Sequence, residues 1–124
     1  MTKHLFAYGT LQHPDIISFV LHRTPEAQSA ILSDFVRYGI KDENFPGIIP
    51  CPNALTDGTL FLAITEEEWT RLDEYESDLY ERKTVQVATS AGDTVKAEAY
   101  VIPEQNKEYL TRDLWDFKEY QPRT

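Results

Sequence analysis

Two stretches of strict alternation constrain this chain more than any other feature. From Thr94 to Val101, Val95, Ala97, Ala99 and Val101 fall on one side, and Lys96, Glu98 and Tyr100 on the other. That period of two is the pattern of a half-buried strand. Tyr80 to Val87 alternates likewise, with Tyr80, Arg82, Thr84 and Gln86 opposite Glu81, Lys83, Val85 and Val87. Ser90-Ala91-Gly92-Asp93 lies between the two runs, and turn residues so placed predict an antiparallel hairpin. A chain of 124 residues built around such a hairpin has room for one domain. Residues 1–124 are therefore expected to form one unit, with a tail, 107–124, packing over it.

The remaining segments predict few helices. Lys3 to Tyr8 reads as a strand ended by Gly9, and Pro14 suits the first turn of a helix, where its missing N–H costs nothing. Ile16, Ile17, Val20 and Leu21 give that helix an apolar face, and it stops before Thr24-Pro25. Residues 26–40 read as two extended segments with Ile31, Phe35, Val36 and Tyr38 as core positions. Pro46, Gly47, Pro50 and Pro52 punctuate 41–57, which reads as loop. Gly58 to Ile64 is a strand with Leu60, Leu62 and Ile64 on one face. Thr65 and Glu68 then form a capping box, in which each side chain satisfies the other residue's free backbone N–H at a helix start. The tail, with Tyr109, Leu110, Leu114, Trp115, Phe117 and Tyr120, reads as helix or irregular segment. This order of elements predicts a small α+β domain whose mainly antiparallel sheet curls toward a barrel with flanking short helices. One mouth of such a sheet offers a concave pocket for a small molecule.

Charge removes several function classes. There are 21 acidic against 12 basic residues, a formal net charge of −9. This disfavours sequence-independent binding to nucleic acid, which relies on clustered Lys and Arg against phosphates, and adhesion to an anionic membrane surface. No run approaches the ~18 apolar residues of a membrane span, and the apolar run before Tyr8-Gly9 is too short for a signal-peptide core. Cys51 is alone, which fits a reducing, cytoplasmic setting. With that one Cys, and with His4, His13 and His22 at no ligand spacing, no metal site is expected.

Two segments carry chemistry. Tyr8-Gly9-Thr10-Leu11 stands between a strand and a helix, where glycine lets successive N–H groups face one way and a helix start adds positive potential. That arrangement suits a carboxylate or a developing oxyanion; an ordinary tight turn has the same residues. The second is Leu72-Asp73-Glu74-Tyr75-Glu76. At ~100° per residue Glu76 falls between Trp69 and Leu72 on the buried stripe. An unpaired carboxylate there holds its proton more tightly than usual and can act as a general base or acid near neutral pH. Asp73 lies near the same face, and a helix-end carboxylate paired with Arg82 or Lys83 is the alternative. If Tyr80 and Arg82 face the pocket, they can hold Glu76 or a substrate carboxylate.

Taken in order, these segments resemble the gamma-glutamylcyclotransferase-like superfamily, and within it the gamma-glutamylamine-cyclotransferase-like branch. The resemblance rests on Leu5-Phe6-Ala7-Tyr8-Gly9-Thr10-Leu11, Phe45-Pro46-Gly47-Ile48, Gly58-Thr59-Leu60, Leu72-Asp73-Glu74-Tyr75-Glu76, Tyr80-Glu81-Arg82, Ala99-Tyr100-Val101 and Trp115-Asp116-Phe117-Lys118-Glu119-Tyr120. It implies a curled, mainly antiparallel sheet, one pocket, and neither metal nor organic cofactor. It also implies a small gamma-glutamyl amine or peptide as substrate, with 5-oxoproline and a free amine as products. The backbone around Gly9, Thr10 and Leu11 would hold the gamma-glutamyl group, and Glu76 rather than Asp73 would be the acid–base residue. Tyr8, Pro46, Gly47, Tyr80 and Tyr100 would stand at the pocket. One departure is Ser77, where many members have glycine after that glutamate. It leaves room for a different amide-type substrate, or for a non-catalytic module binding a carboxylate metabolite or a partner protein.

Overall fold

A computed structural model describes residues 3–115. Strand β1 (Lys3–Ala7) is apolar on both faces, and the structure buries both. Phe6 and Tyr8 point into one core with Ala30, Leu32, Ile48, Leu60, Val87, Ala97, Ala99 and Val101. Leu5 and Ala7 point into a second with Leu11, Ile17, Leu21, Phe61, Ile64, Trp69, Leu72 and Tyr100. The first core fills a barrel; the second glues two helices to its outside.

The barrel has five strands. Besides β1 these are β2 (Ala27–Ile40), β3 (Pro46–Ile64), β4 (Glu81–Thr89) and β5 (Thr94–Val101). They pair in the order β3-β1-β5-β4-β2, and β2 pairs back onto β3 to close the ring. The β1–β5 pair is parallel and the other pairs are antiparallel. Closure leaves the ring without free edges, which are otherwise a liability of small sheets. The fold is thus α+β with a barrel-like sheet, as the alternation implies. The hairpin expected at Ser90–Asp93 joins β4 to β5 in regular register, from Glu81↔Val101 to Ala88↔Thr94.

Helix α1 (Pro14–Leu21) begins with Pro14, and the Nδ1 of His13 accepts from the backbone N–H of Asp15. Helix α2 (Glu66–Glu76) has its capping box: the Glu68 N–H donates to Thr65 Oγ1 at 3.2 Å, and the Thr65 N–H to Glu68 Oε1 at 2.9 Å. Arg71 of α2 donates to the carbonyls of Val20 and Leu21, 3.1 Å each, and so ties the two helices together. Among the described residues no helix is long and apolar enough to cross a membrane.

The structure corrects four sequence expectations. Residues 41–57 are mostly strand, because β3 starts at Pro46. Over its first part, Pro46 to Pro50 pair only with β2 among the strands, and a strand's outer edge tolerates proline. Residues 26–40 are one strand, kinked at Asp34 (φ 67°), where the register jumps between Ser33 and Phe35 and the Asp34 carboxylate accepts from Asn53 N–H. Ile31 consequently faces outward, with Ala30 and Leu32 inward. Leu60, Leu62 and Ile64 do not share a face: Ala63 (φ 57°) interrupts the alternation, so Leu62 packs against the barrel core while Ile64 joins the outer one. Finally, Leu110–Leu114 is a sixth strand, β6, pairing beyond the ring with the end of β2 (Tyr38↔Leu114, Ile40↔Leu110). Phe117 and Tyr120 lie outside the described residues.

Candidate active site

The end of α2, the end of β1 and the start of β3 meet around a cavity of about 270 Å³. β1 brings Tyr8 to its wall, and the chain then turns through Gly9 into a short 3-10 segment, Thr10–Gln12. The first N–H groups of such a turn, those of Thr10 and Leu11, have no acceptor inside it. Gly9 has φ −126°, so a left-handed backbone is not what requires glycine here. Space is: a Cβ on Gly9 would sit 2.8 Å from Pro46 Cδ. Pro46 in turn lines the cavity and accepts at its carbonyl from Tyr80 Oη at 2.7 Å.

Glu76 is the last residue of α2 and lines the same cavity. No hydrogen bond or ion pair holds its carboxyl among the described residues, and burial pushes its pKa up to about 8. Arg82, one of the two cations named above as an alternative partner, is engaged elsewhere. Its Nη1 pairs with Asp73 Oδ2 at 3.4 Å and its guanidinium lies 4.7 Å from the centre of the Trp69 ring. Asp73 is half exposed and does not line the cavity; it accepts from Tyr100 Oη at 2.7 Å. The two acids that the helical wheel leaves level are therefore separated by their partners.

Three tyrosines stand around the carboxyl. Tyr8 donates to the Tyr100 carbonyl, Tyr80 to Pro46 and Tyr100 to Asp73. Burial raises the pKa of each above the usual phenol value, with the nearby Glu76 charge adding to it. All three phenol protons are thereby directed at protein acceptors. Among the described lining residues, Glu76 is the group that exchanges a proton near neutral pH.

Of the residues singled out from sequence, Tyr8, Gly9, Thr10, Leu11, Pro46, Glu76, Tyr80 and Tyr100 line this one cavity. Gly47 does not. It packs against Ile102, whose Cγ1 would lie 2.3 Å from an added Cβ, so its smallness serves packing. Ser77, the departure from glycine noted above, lines the wall, and so do Tyr75 and Leu79, for which proximity to Glu76 in sequence was the available signal. Ser77 adopts φ 64°, ψ −166°, a region almost reserved for glycine.

A family model described as "Gamma-glutamyl cyclotransferase, AIG2-like" matches residues 5–119. The chain belongs to this gamma-glutamyl cyclotransferase, AIG2-like family. Among its relatives, AIG2-like protein C of Arabidopsis thaliana is 37% identical over 117 residues, covering 94% of this chain and 67% of that protein. A solution structure of an Arabidopsis thaliana protein superposes with a TM-score of 0.81 at 28% identity, covering 96% of this chain and 72% of its own. A structure named gamma-glutamyl cyclotransferase superposes with a TM-score of 0.69 at 21% identity, covering 83% and 68%, a likeness of fold. Family and fold together make this a gamma-glutamyl cyclotransferase-like protein.

Proposed function

We propose that the protein is a gamma-glutamyl cyclotransferase that releases 5-oxoproline and a free amine from a small gamma-glutamyl amine or peptide. The observation that carries this reading is a half-buried Glu76 carboxyl, without a hydrogen-bond or ion-pair partner among the described residues, in the same cavity as the Tyr8–Leu11 turn. The substrate's α-amino nitrogen attacks its own γ-carbonyl carbon and closes a five-membered lactam. The nucleophile is tethered already, so the enzyme's task is to fold the substrate into a reactive shape.

Two protons must travel from the attacking nitrogen to the departing one, since an ammonium enters the reaction and an ammonium leaves it. Glu76 in its ionised form takes one proton from the α-ammonium and, as the protonated acid, gives it to the leaving nitrogen as the C–N bond breaks; the second proton, shed by the newly bonded ring nitrogen, passes through water to the freed amine. A carboxyl with a pKa of about 8 is suited to both steps near neutral pH. Backbone N–H groups of the Tyr8–Leu11 turn receive the oxyanion, a contribution of roughly 3 kcal/mol per donor in comparable sites. The tyrosines, with their protons directed elsewhere, form the aromatic wall against which the glutamyl chain bends. A non-catalytic pocket would be favoured by a Glu76 fixed against Arg82; that arginine is paired with Asp73.

Incubation with a panel of gamma-glutamyl amines and peptides, with 5-oxoproline as readout, tests the proposal. Release from at least one substrate, lost in Glu76→Gln, is the expected result. No release from any, or equal release by the variant, overturns it.

A further inference from the structure

The Tyr8–Leu11 turn needs something to hold it still, since a cradle for an oxyanion works only if its donors are fixed before the charge develops. β1 stops at Ala7, so the ladder does not supply that hold for the residues beyond. Among the described residues, one side chain donates to the backbone of the first of them. Arg37 of β2 donates from Nη1 to the Tyr8 carbonyl at 2.8 Å and to the Asp57 carbonyl at 2.8 Å. Its Nη2 donates to Asp57 Oδ1 at 2.7 Å and its Nε to the Trp115 carbonyl at 2.8 Å. The guanidinium also lies 5.7 Å from the centre of the Trp115 ring, and its side chain is only 10% exposed. Trp115 Nε1 donates to the Asn44 carbonyl, next to the cavity residues Phe45 and Pro46.

A planar fork with five donors can satisfy acceptors in three directions at once; a lysine ammonium on a flexible stem cannot hold the same set. Resting on the cyclotransferase reading, we infer that Arg37 is a positioning residue for the reaction. It never lines the cavity. It fixes the peptide plane between Tyr8 and Gly9 by its carbonyl, and with it the direction in which the following N–H groups face. The β3 and Trp115 contacts anchor the arginine itself, so the Tyr8 end of the cradle is referenced to the barrel wall, while the Gly9 carbonyl accepts from Gln12 within the loop.

The test compares the unsubstituted protein with Arg37→Lys, using amide resonances in a ¹⁵N-labelled sample and steady-state kinetics on a gamma-glutamyl amide. The Gly9, Thr10 and Leu11 resonances should move while those of the distant β4–β5 hairpin stay. Because a misaligned cradle weakens the transition state more than the bound substrate, kcat should fall about tenfold or more with KM changed less than about threefold. Unchanged resonances at 9–11, or an unchanged kcat, overturn the inference. If Arg37→Lys does not fold, Asp57→Asn, which alters an exposed carboxylate, decides in its place. Its resonances and kcat should shift in the same direction by less, and wild-type values for both overturn the inference. If the unsubstituted protein releases no 5-oxoproline, the cyclotransferase reading falls, and the amide resonances alone judge whether Arg37 holds the turn.

Discussion

Helix α2 carries two inward glutamates whose surroundings drive them in opposite directions. At its start, Glu68 is held by Arg23 (Nε–Oε2 2.5 Å, Nη2–Oε1 2.9 Å) and by the Thr65 N–H, and the arginine chiefly pulls its pKa down to about 2. At its end, Glu76 has no such partner among the described residues, and burial pushes it up to about 8. One helix therefore holds a carboxylate that stays charged and a carboxyl that readily keeps its proton. Both are inward, so burial does not distinguish a structural acid from a reactive one; the partners do.

The largest effect is expected at the reactive end of α2. Glu76→Gln should lower kcat/KM by about 10²- to 10⁴-fold, the range of a general acid–base group. In the unsubstituted protein kcat/KM should climb with pH through about 8 as Glu76 ionises, and a rate profile flat across pH 6–9 would count against Glu76 as the base. At the structural end, Arg23→Ala strands a buried charge. The arginine is 41% exposed, so the loss lies below that of a fully buried pair, about 2 kcal/mol by urea denaturation at pH 7.

Proton linkage sharpens the contrast because the two signs differ. Glu68, lowered from 4.5 to about 2, contributes stability above pH 4.5 that disappears as pH falls toward 2. Glu76, raised from 4.5 to about 8, contributes stability below pH 4.5 that disappears as pH rises through 8. Denaturation midpoints across pH 2–9 should show both slopes, with Arg23→Ala flattening the acid one and Glu76→Gln the neutral one. The smallest effect belongs to Ser77→Gly, which relieves a positive φ and should raise stability by about 1 kcal/mol in the same assay.

Much of the fold was legible because the chain alternates where strands lie. The β4–β5 hairpin, the capping box and the Pro14 helix start each follow from local chemistry. What escaped was non-local. Pro46, Pro50 and Pro52 signal loop until it is known that their strand is paired with β2 alone at that end, and the kinks at Asp34 and Ala63 depend on register between strands. At the candidate site, the wheel brought Glu76 to the buried stripe but could not choose between it and Asp73. That choice rests on where Arg82 and Tyr100 reach, which is set by β4 and β5. Arg37 carries no local signal at all, since its four acceptor atoms belong to three residues, Tyr8, Asp57 and Trp115, on segments far apart in the chain.

The bare α-carbon of Gly9 pressed against the ring of Pro46 has a consequence for how this family member could be retuned. These two residues act as a spacer between opposite sides of the mouth. A single methyl group added at Gly9 would work as a wedge, prising the turn from the β3 entrance without touching Glu76. The bore of the opening is thus gauged by one atom's absence, at a point where the acid is untouched.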